Sequence, residues 1–157
     1  MKKKLSRIGI AVVLCLLIGF LSSIATQSSI DTWYLTLKKP SFTPPNWIFG
    51  PVWILLYIMM GISAGIVWSK GFYHKWVKTA LYHFGFQLIL NAAWSIFFFG
   101  LQSPLIALLD IIALFILLLF TIKWFTVVNT IAAYLLIPYV VWVAFATALN
   151  FGIWQLN

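Results

Sequence analysis

The sequence predicts an all-α integral membrane protein, a bundle of five transmembrane helices with a long structured first loop. Of its 157 residues, 64% are hydrophobic and only 8% are charged, whereas soluble domains are about 45–50% apolar and about 25% charged. Five apolar stretches are also long enough, at about 1.5 Å per residue, to cross a hydrocarbon core of about 30 Å as helices. They are residues 8–26, 49–68, 79–99, 104–122 and 128–151.

These spans and their connections use the whole chain, so a single domain is predicted over residues 1–157. The first span has two interpretations. Lys2, Lys3, Lys4 and Arg7, followed by an apolar run that ends near Ser23, are typical of a signal peptide that is cleaved as well as of a retained helix. The local pattern leaves both interpretations open.

The distribution of basic residues predicts the orientation in the membrane. With the amino terminus inside, the inner segments hold eight Lys and Arg residues, and the outer segments hold only Lys38 and Lys39. Because cytoplasmic loops carry an excess of Lys and Arg, we expect a multi-pass protein of a bacterial cell membrane with a cytoplasmic amino terminus and an outer carboxyl terminus. Anchoring also accounts for the net charge of +8, so no nucleic-acid partner is expected.

Local sequence features predict how the helices end, bend and pack. Ser103 followed by Pro104 is typical of a helix start. Pro138 lies inside the fifth span and leaves the carbonyl of Tyr134 without a donor, which predicts a bend unless a neighbouring helix supplies one. Two pairs of small residues four positions apart favour close helix packing over a dedicated dimer face: Gly61 with Gly65, and Ala144 with Ala148.

The first loop, residues 27–48, contains three of the six prolines and two of the nine tryptophans. A connection of this length in a small bundle is either an ordered lid or binding loop, or disordered. Its aromatic content argues against disorder. Trp33 and Trp47 have a second interpretation as ordinary interfacial residues, and both interpretations stay open.

Several aromatic and polar residues lie at one depth beneath this loop. Counted at about 1.5 Å per residue from the outer helix ends, residues of four spans lie roughly 6–14 Å deep: Trp53, Tyr57, Asn91, Trp94, Asp110, Trp142 and Ala146. An aromatic cavity with few polar groups is typical of a site for a flat hydrophobic ligand. Asp110 is instead predicted to be a structural polar residue that bonds neighbouring helices. Lys38 and Lys39 are predicted to meet anionic lipid headgroups, or alternatively acidic groups of a ligand.

Conventional catalysis is not predicted. His74 and His83 have no acidic partner nearby in the sequence, and the acids Asp31 and Asp110 are far apart, so neither a catalytic triad nor an acid–base pair can be assembled. No metal-ligand spacing occurs, and no cofactor is required. Tryptophans could still take part in light-driven chemistry of a bound pigment, so whether the protein is an enzyme stays open.

The combined motifs resemble those of a known family over essentially the whole chain. They are Trp33 to Leu37, Lys39-Pro40, Phe42, Pro44-Pro45-Asn46-Trp47, Phe49-Gly50-Pro51-Val52-Trp53, Leu56-Tyr57, Met60-Gly61, Leu90-Asn91, Trp94-Ser95, Phe98-Phe99, Pro104, Asp110, Pro138-Tyr139, Trp142 and Phe145-Ala146. This pattern resembles the translocator protein family, also called tryptophan-rich sensory proteins or peripheral benzodiazepine receptors. The resemblance implies five transmembrane helices, a retained first helix, a homodimer and a pocket near the first loop.

The resemblance also implies a function. Family members bind porphyrins such as protoporphyrin IX and synthetic isoquinoline or benzodiazepine ligands, so we expect a membrane receptor or carrier for tetrapyrroles with a transport or stress-sensing role. The alternative is a light-dependent porphyrin-degrading enzyme with Trp53 and Trp142 as catalytic residues. By position, the implied ligand-binding residues are Trp33, Tyr34, Pro44, Trp47, Trp53, Tyr57, Asn91, Trp94, Ser95, Phe98, Trp142, Ala146 and Leu149. The resemblance implies cholesterol binding only for animal members, whose pattern after the fifth helix is an apolar residue, then Tyr, then a basic residue. Residues 151–157 contain neither Tyr nor Lys, so cholesterol binding is not expected here.

Overall fold

The computed structural model describes all residues, 1–157. It contains helices and no strand, and five helical segments are long and apolar enough to cross a membrane. The predicted fold class is therefore confirmed. The helices are α1 (Lys2–Gln27), α2 (Asn46–Ser69), α3 (Lys75–Ser95, continued by a π-helical turn over Ile96–Gly100), α4 (Pro104–Val128), α5 (Thr130–Leu135) and α6 (Ile137–Leu156). The fifth span, Thr130–Leu156, comprises α5 and α6.

Charged residues near the helix ends do not terminate the helices. The prediction ended the fourth span before Lys123, but α4 continues to Val128. Lys123 is exposed, with its Nζ 5.6 Å from the centroid of the Trp124 ring. Because a long basic side chain can reach the interface from inside a helix, a lysine does not mark the helix boundary. For the same reason α1 begins at Lys2 rather than at residue 8.

The predicted interruption near Pro138 is present. The helix breaks at Leu136, and Pro138 lies in the first turn of α6. The Oγ of Ser63 in α2 donates a hydrogen bond of 2.6 Å to the carbonyl of Ala132 in α5. A neighbouring helix therefore supplies the hydrogen-bond donor for a carbonyl near the break. Such a donor matters because an unpaired carbonyl group is costly in a membrane. The predicted start of α4 is also confirmed, because the Ser103 side chain accepts a hydrogen bond from the amide of Ile106.

Glycines bring α1 and α2 into close contact. A Cβ atom at Gly61 would collide with the backbone of Val12, and one at Gly65 would collide with the backbone of Ile8. For this pair the packing interpretation is confirmed, within the chain itself. Ala144 and Ala148 are exposed on the outside of α6, so they do not pack against another helix of this chain.

The first loop is ordered and covers one end of the bundle, the loop end. The loop contains a single 3₁₀ turn, Trp33–Thr36, in which Tyr34 is buried. The Oγ of Ser29 donates to the carbonyl of Phe99 at 2.7 Å. The side chain of Asn157 brackets the backbone of Lys38, accepting from its amide at 3.1 Å and donating to its carbonyl at 2.8 Å. These bonds attach the start of the loop to the end of the third span and its middle to the end of α6.

Candidate functional site: a cavity beneath the first loop

A cavity of about 460 Å³ lies inside the bundle at the loop end. Its volume falls within the range of about 300–1,000 Å³ that is usual for small-molecule sites. The first, second, third and fifth spans contribute to its wall, and no charged side chain lines it. An ionised group on a bound molecule would therefore lose its hydration without compensation inside the cavity, and only uncharged parts of a molecule suit the interior.

Aromatic rings in mutual contact form the cavity wall. The Trp53 ring lies 5.8 Å from Tyr57 and 6.4 Å from both Tyr139 and Trp142, centroid to centroid, and the two indoles are nearly perpendicular at 87°. These separations lie in the favourable range for aromatic pairs, about 4.5–7 Å. The rings that contact Trp53 belong to α2 and α6, so both helices hold its indole in place.

A chain of hydrogen bonds runs from the cavity wall into the core. The Tyr57 hydroxyl donates to Asn91 Oδ1 at 3.1 Å, and Asn91 Nδ2 donates to the Tyr139 hydroxyl at 2.7 Å. The Tyr139 hydroxyl in turn donates to Gln87 Oε1 at 2.7 Å. The chain joins α2, α3 and α6, and it fixes the orientation of the Asn91 amide at the cavity surface.

Two cavity tryptophans differ in their hydrogen bonding. Trp94 Nε1 donates to Asn150 Oδ1 at 2.9 Å, and Asn150 Nδ2 donates to the Pro104 carbonyl at 2.9 Å. Trp142 Nε1 is buried and has no hydrogen-bond partner. Because this nitrogen is buried away from the open space of the cavity, Trp142 contributes its ring rather than its N–H to the wall.

The cavity opens sideways between the loop-end halves of α1 and α2. Five of its lining residues are themselves exposed: Phe20 (65%), Gln27, Trp47 (74%), Gly50 and Ile54 (56%). Phe20 and Gln27 belong to α1 and the other three to α2, so the opening lies between these two helices. The glycine contact of Gly61 and Gly65 closes the same helix pair further along.

The structure brings most of the predicted ligand-binding residues together. Eleven of the thirteen line the cavity: Tyr34, Trp47, Trp53, Tyr57, Asn91, Trp94, Ser95, Phe98, Trp142, Ala146 and Leu149. Trp33 does not line it and packs edge-on against Phe98 at 5.6 Å, and Pro44 is also absent from the wall. That these residues bind a ligand stays a prediction.

Sequence reasoning missed the contribution of α1. The wall includes Leu16, Gly19, Phe20, Ser22, Ser23 and Thr26 of that helix. The apolar background of α1 hides any periodicity, and the available signal was the recurrence of small or hydroxyl-bearing residues at Gly19, Ser22, Ser23 and Thr26. Gly19 has a specific role, because a Cβ atom there would lie 2.7 Å from the Tyr57 ring. Asn150 also lines the cavity and was not among the predicted site residues.

Asp110 lies apart from the cavity although it shares its depth. Its side chain is buried and lies outside the cavity wall, and its Oδ2 has no hydrogen-bond partner. That Asp110 bonds neighbouring helices stays a prediction.

The two loop lysines differ in their surroundings. Lys39 Nζ lies 4.6 Å from the centroid of the Tyr34 ring and donates to the Leu37 carbonyl at 3.4 Å. Burial raises the pKa of Tyr34 above its ordinary value, so the phenol stays neutral and its ring face attracts the ammonium group. Because Tyr34 also lines the cavity, Lys39 is held beside the wall, whereas Lys38 is exposed.

The fold and the site together define a multi-pass membrane protein with an aromatic, uncharged cavity between its helices. A sequence model of the TspO/MBR family matches residues 11–155. The chain is 48% identical to the tryptophan-rich protein TspO of Archaeoglobus fulgidus over 148 residues, which cover 94% of each chain. It is 43% identical to the tryptophan-rich protein TspO of Chlorobaculum tepidum over 157 residues, 100% of this chain and 99% of that one. It is 41% identical to the translocator protein of Homo sapiens over 128 residues, 80% of this chain and 75% of the human one. The chain belongs to the TspO/MBR family.

Proposed function

We propose that this protein is a membrane receptor or carrier that binds porphyrins, such as protoporphyrin IX, and other flat hydrophobic ligands in the cavity. The observation that carries the proposal is the uncharged aromatic wall centred on Trp53. Flat conjugated rings gain from contact with such faces beyond the burial of apolar area. A role in transport is consistent with the name of the human relative, translocator protein, and a stress-sensing role is proposed on the family resemblance.

The proposed binding mode follows from the distribution of polar groups. The macrocycle packs against the aromatic rings of the wall. The carboxylates stay outside the uncharged interior, at the opening or near Lys39. The sideways opening between α1 and α2 lets a ligand dissolved in the membrane enter without displacing the first loop.

A cavity-filling substitution tests the proposal against a matched control. Ala146 lines the cavity, and Ala144 lies on the exposed side of the same helix. Protoporphyrin IX is titrated in detergent while tryptophan fluorescence and the pigment spectrum are recorded. Ala146→Phe should weaken binding by about tenfold or more, since the loss of about 1.4 kcal/mol suffices for that. Ala144→Phe should stay within about twofold, as is usual for surface substitutions.

Two results would contradict the proposal. One is the absence of fluorescence quenching and of spectral change at micromolar pigment. The other is equal weakening by Ala146→Phe and Ala144→Phe, because the pigment would then bind the outer surface. Homodimer formation is part of the proposal on the family resemblance, and binding requires no cofactor.

The second candidate function is light-dependent porphyrin degradation. The observation in its favour is that Trp53 and Trp142 line the same cavity and touch each other, with centroids 6.4 Å apart. Illumination of the protoporphyrin complex should then bleach the pigment faster than in detergent alone. Trp53→Phe combined with Trp142→Phe should abolish the excess while binding survives. If the parent protein bleaches the pigment no faster than detergent, this second function is excluded and the binding function stands.

A further inference from the structure

We propose that the protein carries a second binding site, for an acidic phospholipid, at the end of the bundle opposite the first loop. The site consists of two stacked tryptophans, Trp76 of α3 and Trp124 of α4, together with their neighbours Lys75 and Lys123. It lies on the outer surface of the bundle and shares no residue with the cavity. It is therefore independent of the proposed porphyrin function.

The first argument is charge. Eight basic residues lie at this end, the basic end: Lys2, Lys3, Lys4, Arg7, Lys70, Lys75, Lys78 and Lys123. The two acidic residues of the chain lie elsewhere, Asp31 in the first loop and Asp110 in the loop-end half of α4. No side-chain anion of the protein offsets the basic end, so it attracts anionic lipid headgroups.

The second argument is the geometry of the tryptophan pair. The Trp76 and Trp124 rings are stacked across the α3–α4 contact, with centroids 5.3 Å apart and an interplanar angle of 15°. Lys75 Nζ lies 5.2 Å from the Trp76 centroid and Lys123 Nζ lies 5.6 Å from the Trp124 centroid. Each ammonium group is thus held by a ring face, and the two charges flank one rigid aromatic surface. Indoles prefer the depth of the lipid headgroups.

The other basic groups at this end are differently engaged. Arg7 Nη1 donates to the Trp68 carbonyl at 3.2 Å, at the carboxyl end of α2, and its guanidinium lies 5.5 Å from the Trp68 centroid. Lys78 lies over the Phe72 ring at 5.7 Å. Lys2 and Lys3 are exposed and have no such ring contact. The stacked pair with its two lysines is therefore distinct among the basic groups.

The third argument distinguishes a lipid from a soluble phosphate. One and two helical turns from Trp124, toward the middle of the membrane, Phe120 and Ile116 are exposed by 50% and 51%. This apolar strip continues from the cationic site along α4, and it suits an acyl chain whose headgroup lies at the lysines. A soluble phosphate would gain nothing from the strip.

Lipid binding in detergent tests the site without the background potential of a bilayer. The probe is dioleoyl phosphatidylglycerol, the references are dioleoyl phosphatidylcholine and soluble glycerol phosphate, and the readout is lipid retention in native mass spectrometry. Lys75→Gln with Lys123→Gln should weaken phosphatidylglycerol binding by about tenfold or more, since the loss of about 1.4 kcal/mol suffices for that. Lys2→Gln with Lys3→Gln removes the same charge and should change binding by about threefold at most.

A second pair of variants tests the rings. Trp76→Leu with Trp124→Leu keeps both lysines and should also weaken binding, because the ammonium groups lose the faces that hold them. Circular dichroism and size exclusion check that every variant is folded. The proposal is overturned if the two lysine pairs weaken binding equally, if the tryptophan pair has no effect, if phosphatidylcholine binds as tightly as phosphatidylglycerol, or if glycerol phosphate displaces the lipid.

Discussion

Removing one buried hydroxyl, by Tyr139→Phe, should destabilise the bundle although no carbon atom is lost. Tyr139 is fully buried, with 0% exposure. Its hydroxyl accepts from Asn91 Nδ2 and donates to Gln87 Oε1, both at 2.7 Å. The substitution leaves one buried donor and one buried acceptor without a partner, in a core where Gln87 Nε2 already has none.

The magnitude follows from these two bonds. Hydrogen bonds between membrane helices contribute about 0.6 kcal/mol on average and about 1.7 kcal/mol at most. Leaving a buried partner unsatisfied costs about 1–3 kcal/mol in proteins generally. Two bonds therefore give a loss of about 1–3 kcal/mol in the free energy of unfolding. At about 2–4 °C per kcal/mol for a chain of this size, the unfolding midpoint should fall by about 2–12 °C.

Thermal unfolding in detergent, followed by circular dichroism, measures this loss. Tyr134→Phe is the matched control, because Tyr134 is 68% exposed and lies one helix earlier in the same span. Adding Gln87→Leu to Tyr139→Phe should recover part of the stability, since both groups of that bond are then apolar. If Tyr139→Phe lowers the midpoint no more than Tyr134→Phe, the hydrogen-bond chain contributes nothing and the reasoning is refuted.

Three further predictions concern helix packing, access and ligand charge. Gly61→Ala should lower the free energy of unfolding by about 1–3 kcal/mol in thermal unfolding, because the added Cβ collides with the Val12 backbone. The control Gly9→Ala, in open space, should be neutral or stabilising, and equal effects of the two would contradict the tight α1–α2 contact. Gly50 lines the cavity and has open space around it, so Gly50→Phe should slow porphyrin uptake from liposomes, measured by stopped flow. The control Gly85→Phe, also in open space, should leave the uptake rate unchanged. An unchanged rate with Gly50→Phe would argue against entry between α1 and α2. In fluorescence titrations, the dissociation constant of protoporphyrin IX dimethyl ester should lie within about threefold of that of the free acid, because the uncharged walls do not contact the carboxylates. Failure of the ester to bind would show that ionic contacts dominate binding.

The fold was predictable because its signals are additive along the chain. The length and hydropathy of each span are sums over about 20 residues. A single residue that departs from the apolar pattern therefore changes the sum little, and all five helices are predicted. The boundaries were less predictable. Lys123 was placed at the end of a helix that in fact continues to Val128, because a lysine can remain helical while its charge reaches the interface.

The site was predictable where depth and residue type coincide. Trp53, Asn91 and Trp142 lie at one level on different spans, and all three line the cavity. Depth alone cannot tell which way a side chain points around its helix, and Asp110 shows this, since it shares the level but lies outside the wall. The wall contributed by α1 was missed for a different reason, because Gly19 matters through the space it leaves for Tyr57 rather than through any chemistry of its own.

The pairing of polar groups determines what kind of selectivity the cavity can have. Asn91 and Trp94 face the cavity but are already bonded to Tyr139 and Asn150, so a ligand gains little by replacing those bonds. Trp142 Nε1 is buried away from the open space of the cavity. Under the proposed function, selection among ligands would then rest on shape and apolar contact. Such a site would discriminate weakly between flat hydrophobic molecules of similar size.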